Sequence, residues 1–306
     1  MFREHNGTGL HMSGRLLHQY LVDCWAKIEG MRLRWFRLHQ EDIRAETYKG
    51  LEDAMAGDDR STVGTHIVLP ATFYGGPRHQ IAHFQDAMAL VREFGKPDLF
   101  ITFTANPHWK EITRALPKGL SAADCPDIIA RVFQLRLKQL MHDLCASHKL
   151  GRCKAAVYAV EFQKRGLSHA HTLLILDEAN SPHTPEDFNK LVSAEIPDPV
   201  HHQVFYDRVT RHMLHICGAA NPVAPCIKGG KCRVGYPKSF QETTQSGSGS
   251  YPLYRRRQHG FSTEKHGHVF DNRHVVPYNQ WLLERYNCHM NVEICSTVQV
   301  HLQGFG

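Results

Sequence analysis

Tyr158-Ala159-Val160-Glu161-Phe162-Gln163-Lys164-Arg165-Gly166-Leu167-Ser168-His169-Ala170-His171-Thr172-Leu173-Leu174-Ile175-Leu176 is the stretch from which the fold can be read. Two apolar runs, Ala155 to Phe162 and His169 to Leu176, flank a short polar segment containing Gly166, which is the pattern of a hairpin. Residues two apart on a strand share a face, so His169 and His171 project together. With the turn around Arg165-Gly166, Glu161 lies across from His169 and on that same face. Two imidazoles and one carboxylate then converge, a mixed N and O donor set that suits Mg²⁺, Mn²⁺ or Zn²⁺. An unpaired imidazole pair opening so apolar a strand would be costly to bury, which favours a ligand role over a place in the core.

Outward from this hairpin, strands and helices interleave. Leu99 to Thr104 is β-branched and aromatic between Pro97 and Pro107 and predicts a buried strand, as does Asn291 to Ile294 near the end. His66 to Pro70 reads as a further short strand. Apolar residues at helical spacing predict helices over Leu16 to Leu38, through Ala82, Met88, Val91 and Phe94 after the Gly75-Gly76-Pro77 turn, over Asp127 to Cys145, over His202 to Leu214 and near Trp281 to Tyr286. The expected fold class is α+β, a largely antiparallel sheet with flanking helices and a Cys/His-rich insertion. The expected domains are a helical segment and linker over residues 1–64, a core over 65–200, the insertion over 201–250 and a C-terminal part of the core over 251–306.

The chain has 306 residues, 42% hydrophobic and 22% charged, enough for a real core and unlike disordered or collagenous sequences. No run of about 18 apolar residues occurs, and the start lacks an apolar signal core, so the sequence predicts an intracellular protein with no membrane span. The charge is 36 Lys and Arg against 30 Asp and Glu, a net +6 that suits a polyanionic partner without demanding one. Nine cysteines without a secretion signal point to reduced or metal-bound thiols. His215, Cys217, Cys226 and Cys232 lie together in a Gly/Pro-rich stretch and form a candidate structural Zn²⁺ site, with His212 as an alternative to His215. Arg255, Arg256 and Arg257 beside Tyr251 and Tyr254 combine charge for phosphates with rings for stacking, and Lys164 and Arg165 flank the candidate metal hairpin. Lys228-Gly229-Gly230-Lys231 lacks the phosphate-loop pattern, so no ATPase site is expected.

These residues carry a resemblance. The strand ending in Asn106-Pro107, then Glu161, then His169-Ala170-His171 resembles the ordered motifs of HUH endonucleases, the Rep-type rolling-circle nucleases. The runs His66 to Pro77, Gly95 to Thr104, Ser193 to Asp198, Tyr251 to Arg257 and Val275 to Asn279 resemble Helitron transposases in the portion called the Helitron helicase-like domain. The resemblance implies metal-dependent nicking and transfer of single-stranded DNA in rolling-circle transposition, in the nucleus. It places a Mg²⁺ or Mn²⁺ on His169 and His171 with Glu161 as third ligand, and Asn106 in the DNA groove. It also implies a nucleophilic tyrosine in a segment following the strand Asn291-Val292-Glu293, and no tyrosine follows Tyr286 here. The expectation is therefore a truncated transposase fragment impaired in nicking, with Tyr278 and Tyr286 the nearest phenols. Two other readings stand beside it, a non-catalytic DNA-binding remnant and a metal-dependent hydrolase of a small substrate using Glu161 as base.

Overall fold

The computed structural model describes residues 14–45, 67–162, 167–247, 251–258 and 260–295. The chain divides into two compact units, residues 1–86 and 87–305, the division falling within a helix.

In the first unit, α1 (Arg15–Leu38) and α2 (Gln40–Ala45) precede the start of α3 (Pro77–Phe94). Phe36, Ile43 and Phe73 form its small apolar cluster, Phe36 meeting Phe73 edge-on at 5.7 Å. The strand expected at His66 to Pro70 is corrected here: residues 67–70 form no strand. The Gln40 side chain takes the place of a strand partner, accepting from Val68 N at 2.7 Å and donating to Val68 O at 2.9 Å.

The second unit is built on one four-stranded antiparallel sheet in the order β2-β3-β1-β8, with β1 Leu99–Thr104, β2 Cys153–Phe162, β3 Ser168–Leu176 and β8 Met290–Ile294. The β2–β3 hairpin has the expected register, Glu161 opposite His169. Alternation gives the sheet two different faces. Leu99, Ile101 and Phe103 of β1, Ala170 and Leu174 of β3 and Val292 of β8 point into the main core. Against them lies α5 (Pro126–Met141), whose Ile129, Phe133, Leu137 and Leu140 recur at steps of four and three and are all buried. Each such side chain contributes about 1.5–3 kcal/mol on burial. Phe103 is the hub, with its ring 5.1 Å from Phe133 and 5.6 Å from Tyr286.

The helix predicted over Asp127 to Cys145 changes character near its end. From His142 to Ala146 it widens into a π turn. There the buried Asp143 accepts from Tyr286 Oη at 2.6 Å, Gln139 Nε2 at 2.9 Å and Arg285 Nε at 3.3 Å. Burial works to raise this carboxyl, but those hydrogen bonds and the Arg285 charge win and hold it below the usual range.

Two short helices that the sequence pattern did not suggest complete this half of the fold, α4 (Lys110–Ala115) and α6 (Pro185–Leu191). α7 (Gln203–His212) stops two residues short of the predicted end, because Leu214 leaves the helix to bridge Val275. Two small hairpins follow, β4 (Ile227–Lys228) with β5 (Lys231–Cys232) and β6 (Thr263–Lys265) with β7 (His268–Phe270). α8 (Gln280–Tyr286) starts where the Asn279 side chain accepts from Leu282 N and ends at left-handed Asn287. It serves two cores at once: Leu282 and Tyr286 join the main one, and Leu283 joins a second with Ile196, Val209, Met213, Val275 and Tyr278. Among the described residues no helix is long and apolar enough to cross a membrane.

Candidate metal centre

The face of the sheet opposite the main core carries Glu161 on β2, His169 and His171 on β3, Thr102 and Thr104 on β1, and Asn291 and Glu293 on β8, by the strand register. Ligand atoms of Glu161, His169 and His171 all lie within 4.8 Å of one another. The two rings are 4.6 Å apart, and His171 Nε2 is 3.2 Å from Glu161 Oε1. Exposure is graded: His169 is buried, His171 half-buried and Glu161 open to solvent.

Each histidine is held from its own side. Thr104 Oγ1 meets His169 Nδ1 at 2.7 Å, and with the proton on Nδ1 that contact leaves Nε2 with its lone pair. Phe100 stacks flat on His171, centroids 5.4 Å apart and planes 10° off parallel. Burial, helped by the neighbouring His171, pushes the His169 imidazole down to about 4 against the pull of Glu161, so the ring is neutral at pH 7. His171 Nδ1 is buried with no hydrogen-bond partner among the described residues. A neutral ring, a buried orphan nitrogen and an adjacent carboxylate fit a divalent cation.

A second cluster stands elsewhere in the same unit. His215, Cys217, Cys226 and Cys232 also place ligand atoms within 4.8 Å of one another. His215 Nε2 is 3.3 Å from Cys226 Sγ and 3.5 Å from Cys232 Sγ. The β4–β5 hairpin brings the last two cysteines together by turning at Gly229 and Gly230, both at positive φ, where a side chain would be strained. The His215 ring stacks on Tyr236 at 4.2 Å, and its backbone N donates to His274 O. His212, the alternative ligand, is elsewhere, with Nε2 at 3.1 Å from Asn287 Oδ1. Burial and the neighbouring Cys232 and Cys226 push the Cys217 thiol up to about 12. Cys232 goes the other way: burial works to raise it, but the N–H groups of Tyr236 and Val234 hold it down. One N and three S donors gathered at these distances fit Zn²⁺.

The arginine triplet is placed differently from the expectation. Arg256 is not at the surface: it is 4% exposed, and its guanidinium donates to Asn272 O at 2.5 Å and Val275 O at 2.7 Å. Arg255 and Arg257 both pair with Glu195, at 3.2 and 2.6 Å. A charge run in sequence does not show that a buried Glu195 and a set of inward carbonyls stand ready to receive it. Arg256→Ala is therefore expected to cost about 2–4 kcal/mol of stability by orphaning buried carbonyls. Denaturant unfolding checks this, and an unchanged midpoint contradicts it. Asn106 is buried as well, donating to Asn287 O and accepting from His108 N, so its side chain holds the turn that follows β1. Lys164 and Arg165 lie outside the described residues.

Two side chains that position others escaped the sequence reading. Thr104 orients His169 across a pairing between strands far apart in sequence, and Glu195 anchors the arginines from within the run Ser193 to Asp198.

Comparison with known proteins gives one family. A protein-family model described as the Helitron helicase-like domain at N-terminus matches residues 1–174. The match takes in Glu161, His169 and His171 and stops within β3, before the Cys/His cluster. A search of curated proteins finds no match.

Proposed function

The chain belongs to the Helitron helicase-like N-terminal domain family, and from that premise we propose that it is a transposase-type domain of HUH architecture that holds single-stranded DNA at a divalent metal on Glu161, His169 and His171. The observation that carries the reading is the convergence of these three ligand sets, inside the matched region, on the sheet face turned away from the main core.

A bound Mg²⁺ or Mn²⁺ would polarise a phosphodiester oxygen and offset the charge of a phosphoryl transition state. The protein's part is to present neutral imidazole nitrogens, to lock the His169 ring through Thr104, and to brace His171 against Phe100. Thr104→Val keeps the shape and removes the hydroxyl. It is expected to weaken metal binding roughly 10–100-fold, read by calorimetry, and unchanged affinity contradicts the orienting role.

The nucleophile expected of the family is not provided by the two nearest phenols. Tyr278 and Tyr286 are 2% and 1% exposed, donating to Glu195 O at 2.7 Å and to Asp143 Oδ2 at 2.6 Å. Burial and these hydrogen bonds disfavour a covalent phosphotyrosine through either residue. We further propose that His215, Cys217, Cys226 and Cys232 hold a structural Zn²⁺, and that the domain works in the nucleus.

Fluorescence anisotropy of a labelled single-stranded 15-mer with the zinc-loaded full chain tests the reading. Tighter binding with added Mn²⁺ than without it is expected. Equal binding in both would sink it, whereas an efficient covalent adduct to Tyr278 or Tyr286 would overturn only the expected impairment in nicking. A small-substrate hydrolase would show little affinity for the oligonucleotide under either condition.

A further inference from the structure

Glu293 is a feature that neither metal reading uses. It lies on β8, on the same face as His171 but two strands away, opposite Phe100. That separation is about 12 Å, two strand spacings across the sheet and two residues along it. Beside it is a cavity of about 550 Å³, lined among others by Tyr236, Lys238, Tyr251, Tyr254, Arg256 and Glu293, with Pro237, Pro252 and Pro277. The volume falls in the range of small-ligand sites, and walls of rings and prolines suit a flat aromatic guest.

The polar groups of the cavity are unequally satisfied. Arg256 is committed to backbone carbonyls, and Lys238 Nζ donates to Val234 O at 2.6 Å while lying 5.0 Å from the Tyr236 ring centre. The Glu293 carboxyl lies beside Tyr254 and Asn291, and its buried Oε2 has no hydrogen-bond partner among the described residues. Burial pushes this carboxyl up to about 7, with Tyr254, Asn291, Arg256 and Lys238 pulling it back. The carboxylate torsion is soft, so an N–H donor entering the cavity gains a bond by a small rotation. A cationic guest is disfavoured, because Arg256 and Lys238 already face the one carboxylate. A neutral ring carrying N–H donors next to a phosphate matches the whole set, and of the four bases guanine presents adjacent N1–H and 2-amino donors to a carboxylate.

We propose that this cavity is a base-reading pocket, which takes one guanine of a bound single strand and holds its N1–H and 2-amino edge on Glu293. The inference rests on the single-strand DNA binding proposed above. It adds sequence preference to a site that otherwise contacts phosphates. A pocket built to hydrogen-bond a donor rejects bases that lack it, since the carboxylate is then left unpaired.

The test uses the full chain and labelled dT15, together with dT15 carrying one central dG, dA or dC. The dG oligonucleotide is expected to bind roughly tenfold tighter than the other three. Glu293→Gln should abolish most of that preference while dT15 affinity and the melting temperature stay near wild type. Equal affinity of wild type for all four overturns the pocket and leaves the DNA reading intact. Binding to none of them overturns both. A guanine preference that survives Glu293→Gln also overturns the assignment, whatever that variant does to folding in the absence of DNA.

Discussion

Replacing His169 and His171 together by alanine is expected to abolish metal-dependent behaviour altogether, and this is the largest effect the structure predicts. The two rings supply two of three ligand sets, and Glu161 alone is an exposed carboxylate with no special hold on a cation. Losing an outer-sphere partner typically costs 10–100-fold, so losing two direct ligands should cost more than about 100-fold in Mn²⁺ affinity. The loss is measurable as stability. With Mn²⁺ at about 100 times its Kd, the wild type should gain about 2.7 kcal/mol against unfolding, and the double variant nothing. Without added Mn²⁺ the variant should not suffer in proportion, because it also removes the buried, unpartnered His171 Nδ1. A variant that is equally stabilised by Mn²⁺ would move the site elsewhere.

Cys226→Ser is expected to have the second large effect, on folding. Structural zinc contributes its binding free energy directly to the folded state, and loss of a metal is among the few causes of changes above about 4 kcal/mol. The cluster ties the end of α7 to the β4–β5 hairpin, through a stretch in which Leu214 bridges Val275 and His215 donates to His274 O. Those contacts border the second core of Val209, Met213 and Val275, so damage should spread there. Purified wild type is expected to carry close to one zinc per chain by elemental analysis, and the variant much less, with a lower unfolding midpoint. Zinc retention should also fall as pH falls, because each thiol must lose its proton to bind. A wild type that is zinc-free after mild purification, or a variant of unchanged midpoint, contradicts the assignment.

How much of this was legible in sequence follows from what each signal depends on. The β2–β3 hairpin was readable because its pairing is local: two apolar runs around Arg165-Gly166 leave Glu161 little choice but to face His169. The antiparallel sheet, the long helices and the His215, Cys217, Cys226 and Cys232 grouping were readable for similar reasons, since period and proximity in sequence carry them. Thr104 was not, because its contact with His169 needs β1 to insert beside β3, a pairing made across 65 residues. Arg256 was not legible because composition reports a charge and not its burial, and the carbonyls that receive it come from two segments far apart in sequence, Ala194 in one and Asn272 and Val275 in the other. The short helix Pro185–Leu191 is too brief to show a period. Its start is nonetheless written locally, Thr184 and Asp187 capping each other reciprocally.

Helitron-family membership and the metal geometry support each other but are separate claims, and the second can be tested without DNA. Mn²⁺ is a hard ion that competes poorly for the sulfur-rich cluster, so a zinc-loaded chain leaves the Glu161, His169 and His171 centre as the site to be titrated. Electron paramagnetic resonance of free Mn²⁺ during such a titration counts bound ions directly. The structure predicts close to one Mn²⁺ per wild-type chain and loss of that site in the His169→Ala, His171→Ala double variant. A wild type that leaves all the Mn²⁺ free, or a double variant that binds it as tightly as wild type, would contradict the account.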